Sequence, residues 1–173
     1  MNTTRDEEGF WDLVEAAWAP LGAEVDEARQ ALTRRASGPG EDLHGRPLAV
    51  VEASLKEFLN NLGSIGEGLS AEELTNFDRV VERKLYDIDR ADIQAVTGGS
   101  DDGFLYARGF VVALGRDFYA AVAEDPKKAV RDAECGRMCY FFAHLHNERY
   151  GSFPDTGSKI SRESCSNPAG WTG

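Results

Sequence analysis

The stretch Gly98-Gly99-Ser100-Asp101-Asp102-Gly103-Phe104-Leu105-Tyr106-Ala107-Arg108-Gly109-Phe110-Val111-Val112-Ala113-Leu114-Gly115 decides the fold class. Two glycines interrupt whatever precedes it, and Ser100 is a preferred N-cap. Two carboxylates follow, where the positive end of a helix dipole favours them. At about 100° per residue, Phe104, Ala107, Phe110, Val111 and Leu114 form one broad apolar stripe, and Leu105 and Val112 form a second. A helix apolar over most of its circumference is surrounded by other elements. The segment from about 101 to 114 therefore predicts the buried centre of a helical bundle. Gly109 within it costs about 1 kcal/mol relative to Ala, which points to close approach of another backbone. Arg108 falls between the stripes, where a guanidinium must meet a carboxylate or several carbonyls.

Helical periodicity extends in both directions. Upstream, about Asp6 to Trp18 begins with three acids, places Phe10, Trp11, Val14 and Trp18 on one face, and stops at Pro20. A weaker run from Ala23 to Ala36 has Val25, Ala28 and Leu32 in phase, with Gly38-Pro39-Gly40 as its break. After Pro47, Leu48, Val51, Leu55, Phe58 and Leu62 follow the spacing of one helical face. Gly63 is expected to end that run. The glycine-rich stretch from Gly63 to Gly68 lacks the Gly-Lys-Ser/Thr end of a phosphate loop, so it reads as a connector. Ser70 and Glu73 have the spacing of a capping box, ahead of Leu74, Phe77, Val81, Leu85 and Ile88, and a further helical stretch reaches about Val96.

Downstream, Phe118, Tyr119 and Val122 mark a short helix, and Asp125-Pro126 is expected to open a long one to about Tyr150. No stretch alternates with period two over strand length, and no internal repeat is present. The expectation is an all-α, single-domain multi-helix bundle over residues 1–150. A polar, irregular Gly/Ser-rich tail over 151–173 is either loose or draped over it.

Charge bounds the partners. Thirty acidic residues against nineteen basic ones give a net charge of −11. Nonspecific nucleic-acid binding needs lysine and arginine to displace counterions from phosphates, and the longest basic run is Arg34-Arg35. Nucleic acid and anionic membrane are disfavoured, and a basic protein surface is the compatible partner. The first residues carry acids rather than a secretory signal. Apolar runs reach about five residues, far below the roughly 20 that span a bilayer. Three cysteines read as reduced thiols, and the expected location is cytoplasmic.

The string from Gly98 to Phe110, continued by Leu114-Gly115-Arg116 and Tyr119 and joined to Phe10-Trp11, resembles an uncharacterised bacterial family. That family is a domain of unknown function, also found in proteins related to the molybdate metabolism regulator. The resemblance covers about Phe10 to Tyr150 in outline, without the Ala23–Arg46 segment and the tail, and is strongest from Leu74 to Pro126. It implies the helical fold and a bacterial cytoplasm, and it brings no activity with it.

The pattern singles out Trp11, Asp101, Asp102 and Arg108 as candidate binding residues. The two aspartates fit helix capping better than paired chemistry, because adjacent helical residues point about 100° apart. Trp11 and Arg108 read structurally as an aromatic anchor and an internal salt bridge. Cys135, Cys139 and His146 share one face of the long last helix, which invites zinc. Cys139 and His146 would lie about 10 Å apart along the axis, and Cys135 and His146 about 16 Å. Zinc ligands sit within about 2.3 Å of the metal, so neither a metal nor a cofactor is expected.

Three functions remain. The leading one is a noncatalytic interaction or regulatory domain, immunity-like in kind, facing a basic partner. The alternative is a small enzyme gripping an anionic substrate through Arg108, with Asp101 or Asp102 as base. The third makes the tail, with Thr156, Ser158, Ser161, Ser164, Cys165 and Ser166, a docking or modification segment.

Overall fold

Helix capping works as the local sequence dictates. Ser70 Oγ accepts the Glu73 amide at 3.1 Å while Glu73 Oε2 accepts the Ser70 amide at 2.8 Å, closing the capping box. Ser100 Oγ accepts the Gly103 amide at 3.3 Å and starts the central helix. A computed structural model describes residues 3–35 and 45–172, and every regular element among them is helical. The α-helices in order are α1 (Thr3–Trp18), α2 (Ala23–Arg34), α3 (Gly45–Gly66), α4 (Ala71–Asp87), α5 (Ala91–Thr97), α6 (Asp101–Ala113), α7 (Arg116–Glu124), α8 (Gly136–Cys139), α9 (Phe141–Tyr150) and α10 (Pro168–Trp171). The break expected at Gly38-Pro39-Gly40, and the expected end of α2 at Ala36, lie outside the described residues. Among those residues, no helix is long and apolar enough to cross a membrane.

The fold is the all-α bundle that the periodicity predicts, with α6 at its centre. Helix α6 packs against α4, α5, α7 and α8, and it buries every residue from Phe104 to Ala113 except Tyr106. A Cβ on Gly109 would run into the Cys135 carbonyl and come within 2.7 Å of Cys139 Sγ. The close neighbour that this glycine admits is thus the start of α8. Around this centre α1 packs on α3 and α4, α2 on α3 and α7, and α4 on α9. Trp18 stacks on Phe58 with ring centroids 4.3 Å apart, and its Nε1 donates to the Ala113 carbonyl at 2.8 Å. That bond ties α1 to the end of α6.

Two expected boundaries move. Gly63 does not end α3, which runs on to Gly66. The Phe141 ring lies 3.7 Å from where a Gly63 Cβ would be, and Leu145 fills the space beside Gly66. Gly66 lets α9 approach, and Gly63 sits inside the helix with ordinary contact to Phe141 rather than breaking it. The long helix expected from Asp125 to Tyr150 is instead a 3-10 turn, Pro126–Lys128, an irregular stretch, then α8 and α9. Its backbone amides are claimed from outside: Asp132 N donates to Thr97 O at 3.1 Å, and Cys135 N to Tyr106 O at 2.9 Å. Buried Val130 and Ala133 hold this stretch against the core. Burial and long-range hydrogen bonds outweigh local periodicity here.

Candidate functional site

The four residues singled out by sequence do not converge on one atom. Trp11 is buried against Phe10 (4.9 Å) and Tyr119 (5.5 Å), on the face where Lys84 and Arg116 border a small cleft. Arg108 is completely enclosed. Its Nη1 donates to Leu85 O at 2.9 Å, its Nη2 to Ser164 Oγ at 3.0 Å, and its guanidinium lies 4.7 Å from the Phe104 ring centroid. A carbonyl, a hydroxyl and a ring meet it at contact distance, in place of the expected internal salt bridge. Burial lowers its pKa, and the nearby Asp89 carboxylate opposes that shift. Asp101 joins Arg108 through its backbone alone, since Ser164 Oγ donates to Asp101 O at 2.6 Å. The Asp101 and Asp102 side chains are exposed.

Asp102 instead borders a groove of about 1020 Å³ between α3, α6, α8 and α9. Leu59, Leu105 and Phe141 form its buried floor, with Tyr106, Tyr140 and Leu145 partly open above them. Gly136 allows this arrangement, because a Cβ there would press on the Tyr106 ring at 2.9 Å. Glu67, Asp102, Glu148 and Glu163 stand around the rim, opposed by Arg137 and with His144 beside them. Tyr140 donates its hydroxyl to Glu163 Oε1 at 3.1 Å. Its burial, then the Glu163 charge, push its pKa up to about 12, so it stays a donor.

Behind the Tyr140 ring lies a buried charge cluster that the sequence reading missed. Arg162, 4.8 Å from that ring centroid, donates to Asp78 Oδ2 at 2.7 Å, to Glu82 Oε2 at 3.4 Å and to Cys139 O at 2.6 Å. Asp78 and Arg162 are 2% and 6% exposed. Burial raises the Asp78 carboxyl's pKa, while the hydrogen bond and charge of Arg162 pull it back. For Arg162, burial works against the charge but is outweighed by the bond to Asp78 and the fields of Asp78 and Glu82. Its pKa therefore lies above the usual value. A third buried carboxylate, Asp89, accepts the amides of Cys165, Ser166 and Asn167 at 2.7–3.0 Å and Trp171 Nε1 at 2.9 Å. One signal was legible. At about 100° per residue, Asp78 and Glu82 fall beside the Leu74–Val81–Leu85 stripe, where a carboxylate needs a partner.

The cysteines and His146 have separate roles. Cys139 Sγ lies 3.4 Å from Leu105 O, and His146 Nδ1 is 2.5 Å from Ser152 O. The break at Tyr140, between α8 and α9, removes the single helical face that the zinc reading assumed.

With this geometry in hand, residues 48–151 match the model of the family described as protein of unknown function (DUF4240). The chain belongs to this family. The match runs from the first turn of α3 to the residue after α9, so it contains the groove apart from Glu163, as well as Asp78, Glu82, Asp89 and Arg108, and stops short of Arg162. A comparison with curated proteins found no match, and one with solved structures found none.

Proposed function

We propose that this DUF4240 chain is a noncatalytic protein-interaction module, regulatory or immunity-like in kind. Its groove between α3, α6, α8 and α9 takes a basic segment of a partner that carries an apolar anchor. The observation carrying this reading is an apolar floor beneath two tyrosines, inside a rim of four carboxylates opposed by one guanidinium. An apolar side chain entering over Tyr106 and Phe141 would supply burial, and the rim would select lysine and arginine by charge. The net charge of −11 adds long-range attraction of the same sign. The free cysteines, two of them in the core, suit a reducing cytoplasm. The enzyme alternative needs an open approach to Arg108, and the enclosure of that side chain does not favour it.

The test is titration with a synthetic lysine/arginine peptide carrying one central tryptophan, followed by amide chemical shifts. Shifts concentrated at Tyr106, Tyr140 and Glu148 are expected, with binding weakened about tenfold between low salt and roughly 0.5 M salt. Asp102→Asn with Glu148→Gln should weaken it further. Equal binding of an acidic peptide, or unchanged binding by the double variant, would sink the reading.

A further inference from the structure

Residues 156–166 pack on the bundle with a strict alternation. Thr156, Ser158, Ile160, Arg162, Ser164 and Ser166 are partly or fully buried, while the residues between them are exposed. Gly157, Lys159 and Cys165 have positive φ, so the path is an irregular one with turns rather than a strand. Every second side chain still turns toward the bundle as a bound peptide's would. The inward side chains are also unlike core residues, being four hydroxyls, one guanidinium and one isoleucine. Thr156 and Ser158 both donate to Glu82 Oε1, the former at 2.7 Å, and Arg79 Nε donates to Thr156 O at 2.7 Å. Arg162 pairs with Asp78 and Glu82, Ser164 with Arg108, and the following amides with Asp89. Every receiving group named here lies within residues 48–151, the part of the chain that matches the family, and every ligand-like group lies outside it.

One atom shows that the complement is incomplete. Asp78 Oδ1 is buried without a hydrogen-bond partner among the described residues, and Asp78 lines a cleft of about 610 Å³ beside Phe153 and Pro154. An unmet buried carboxylate oxygen costs free energy. A ligand with a further donor at this point would fit better than the chain's own segment.

We infer that the α4–α6 face is a peptide-binding site, held in cis by residues 156–167. Its ligand class is a peptide with hydroxyl residues six and four places before an arginine and a serine two places after it, and with residues between them that accept positive φ. The segment supplies Glu163 to the rim of the groove over Tyr106. The two tests read different events, fragment exchange on α4 and α6 here and basic-peptide shifts at Tyr106 and Glu148 there, so failure of one is distinguishable from failure of the other. Tethering gives the cis segment an effective concentration in the millimolar range, which hides the site from peptides in trans while the link is intact.

The experiment places a protease recognition sequence between Ser152 and Phe153 of the full chain, cleaves the folded protein, and adds a fluorescent peptide spanning residues 153–172. The expected result is a cleaved bundle that keeps its helical circular dichroism and cooperative unfolding. It should bind the labelled peptide saturably, at least about a hundredfold more tightly than uncut protein does. The Arg162→Ala peptide should bind at least about tenfold more weakly, having lost its charge-assisted bonds. Loss of the cooperative transition on removing the fragment, a fragment that never exchanges, or equal binding of the Arg162→Ala peptide would each overturn the inference.

Discussion

Arg108 and Arg162 are both buried guanidiniums, yet they answer to different physics. Arg108 meets a carbonyl and a hydroxyl, and the nearby Asp89 is satisfied by other donors. Arg108→Met removes the positive charge near Asp89 but leaves that carboxylate its four donors, and is expected to cost about 1–3 kcal/mol, the scale of orphaned polar groups. Arg162→Met strands two carboxylates, Asp78 and Glu82, and is expected to cost about 3–5 kcal/mol. Urea denaturation of both variants checks the ordering, and a larger loss at Arg108 would contradict it. Arg108 is legible in the sequence because it sits inside an apolar helix. Arg162 is not, because its neighbours are polar and only the chain's path over α4 encloses it. The thiols give a pH test at the same scale. Burial first, then Cys135 for Cys139, pushes Cys135 up to about 11 and Cys139 up to about 12, from an ordinary 9.0. Because the folded values are raised, this contribution to stability is fully present below about pH 9 and is lost as pH rises toward 11–12. Thermal midpoints should fall over that window, and Cys139→Ala should flatten the fall. Below it, a thiol reagent should label exposed Cys165 alone until the protein unfolds.

Glycines in helices separate what periodicity reveals from what packing decides. Gly109 and Gly63 both interrupt good helical patterns, and the sequence assigns close approach to one and termination to the other. Both in fact lie inside helices. Gly109→Ala gains about 1 kcal/mol of helix propensity, but its Cβ meets a backbone carbonyl that cannot swing aside. Overpacking of this kind costs about 1–3 kcal/mol or more, so net destabilisation is expected. At Gly63 the nearest atom, on the Phe141 ring, is at ordinary contact distance, 3.7 Å. Gly63→Ala should stabilise by about 0.5–1 kcal/mol. Opposite signs in two thermal melts check the pair, and equal signs would refute the packing argument. Caps were legible because their chemistry is local, as Ser70, Glu73 and Ser100 show. The 126–140 region was not, because its amides bond to Thr97 and Tyr106, far away along the chain.

At the scale of the whole molecule, the bundle follows from apolar periodicity, whereas the docking of residues 152–172 follows from single polar contacts that periodicity does not register. Asp89 concentrates them. It is fully buried just beyond α4 and accepts four donors, three amides of residues 165–167 and the Trp171 indole. Asp89→Ala removes all four acceptor contacts at once, yet the donors lie on a segment with an exposed side, so water can satisfy them once it lifts. The bundle itself retains the Trp18–Phe58 stack and the packing of α6 on α4, α7 and α8, none of which involves Asp89. The expected outcome is local release rather than global unfolding. Amides 165–167 should lose hydrogen-exchange protection, and Trp171, which now sits edge-on to Phe104 at 6.0 Å, should emit at longer wavelength. Amides of α4 and α6 should stay protected, with a global loss of about 1–3 kcal/mol. Protection lost uniformly across α4, α6 and residues 165–167 would show one cooperative unit and refute the local reading. Selective loss shows that residues 165–167 can lift from Asp89 without dissolving the fold of α4 and α6.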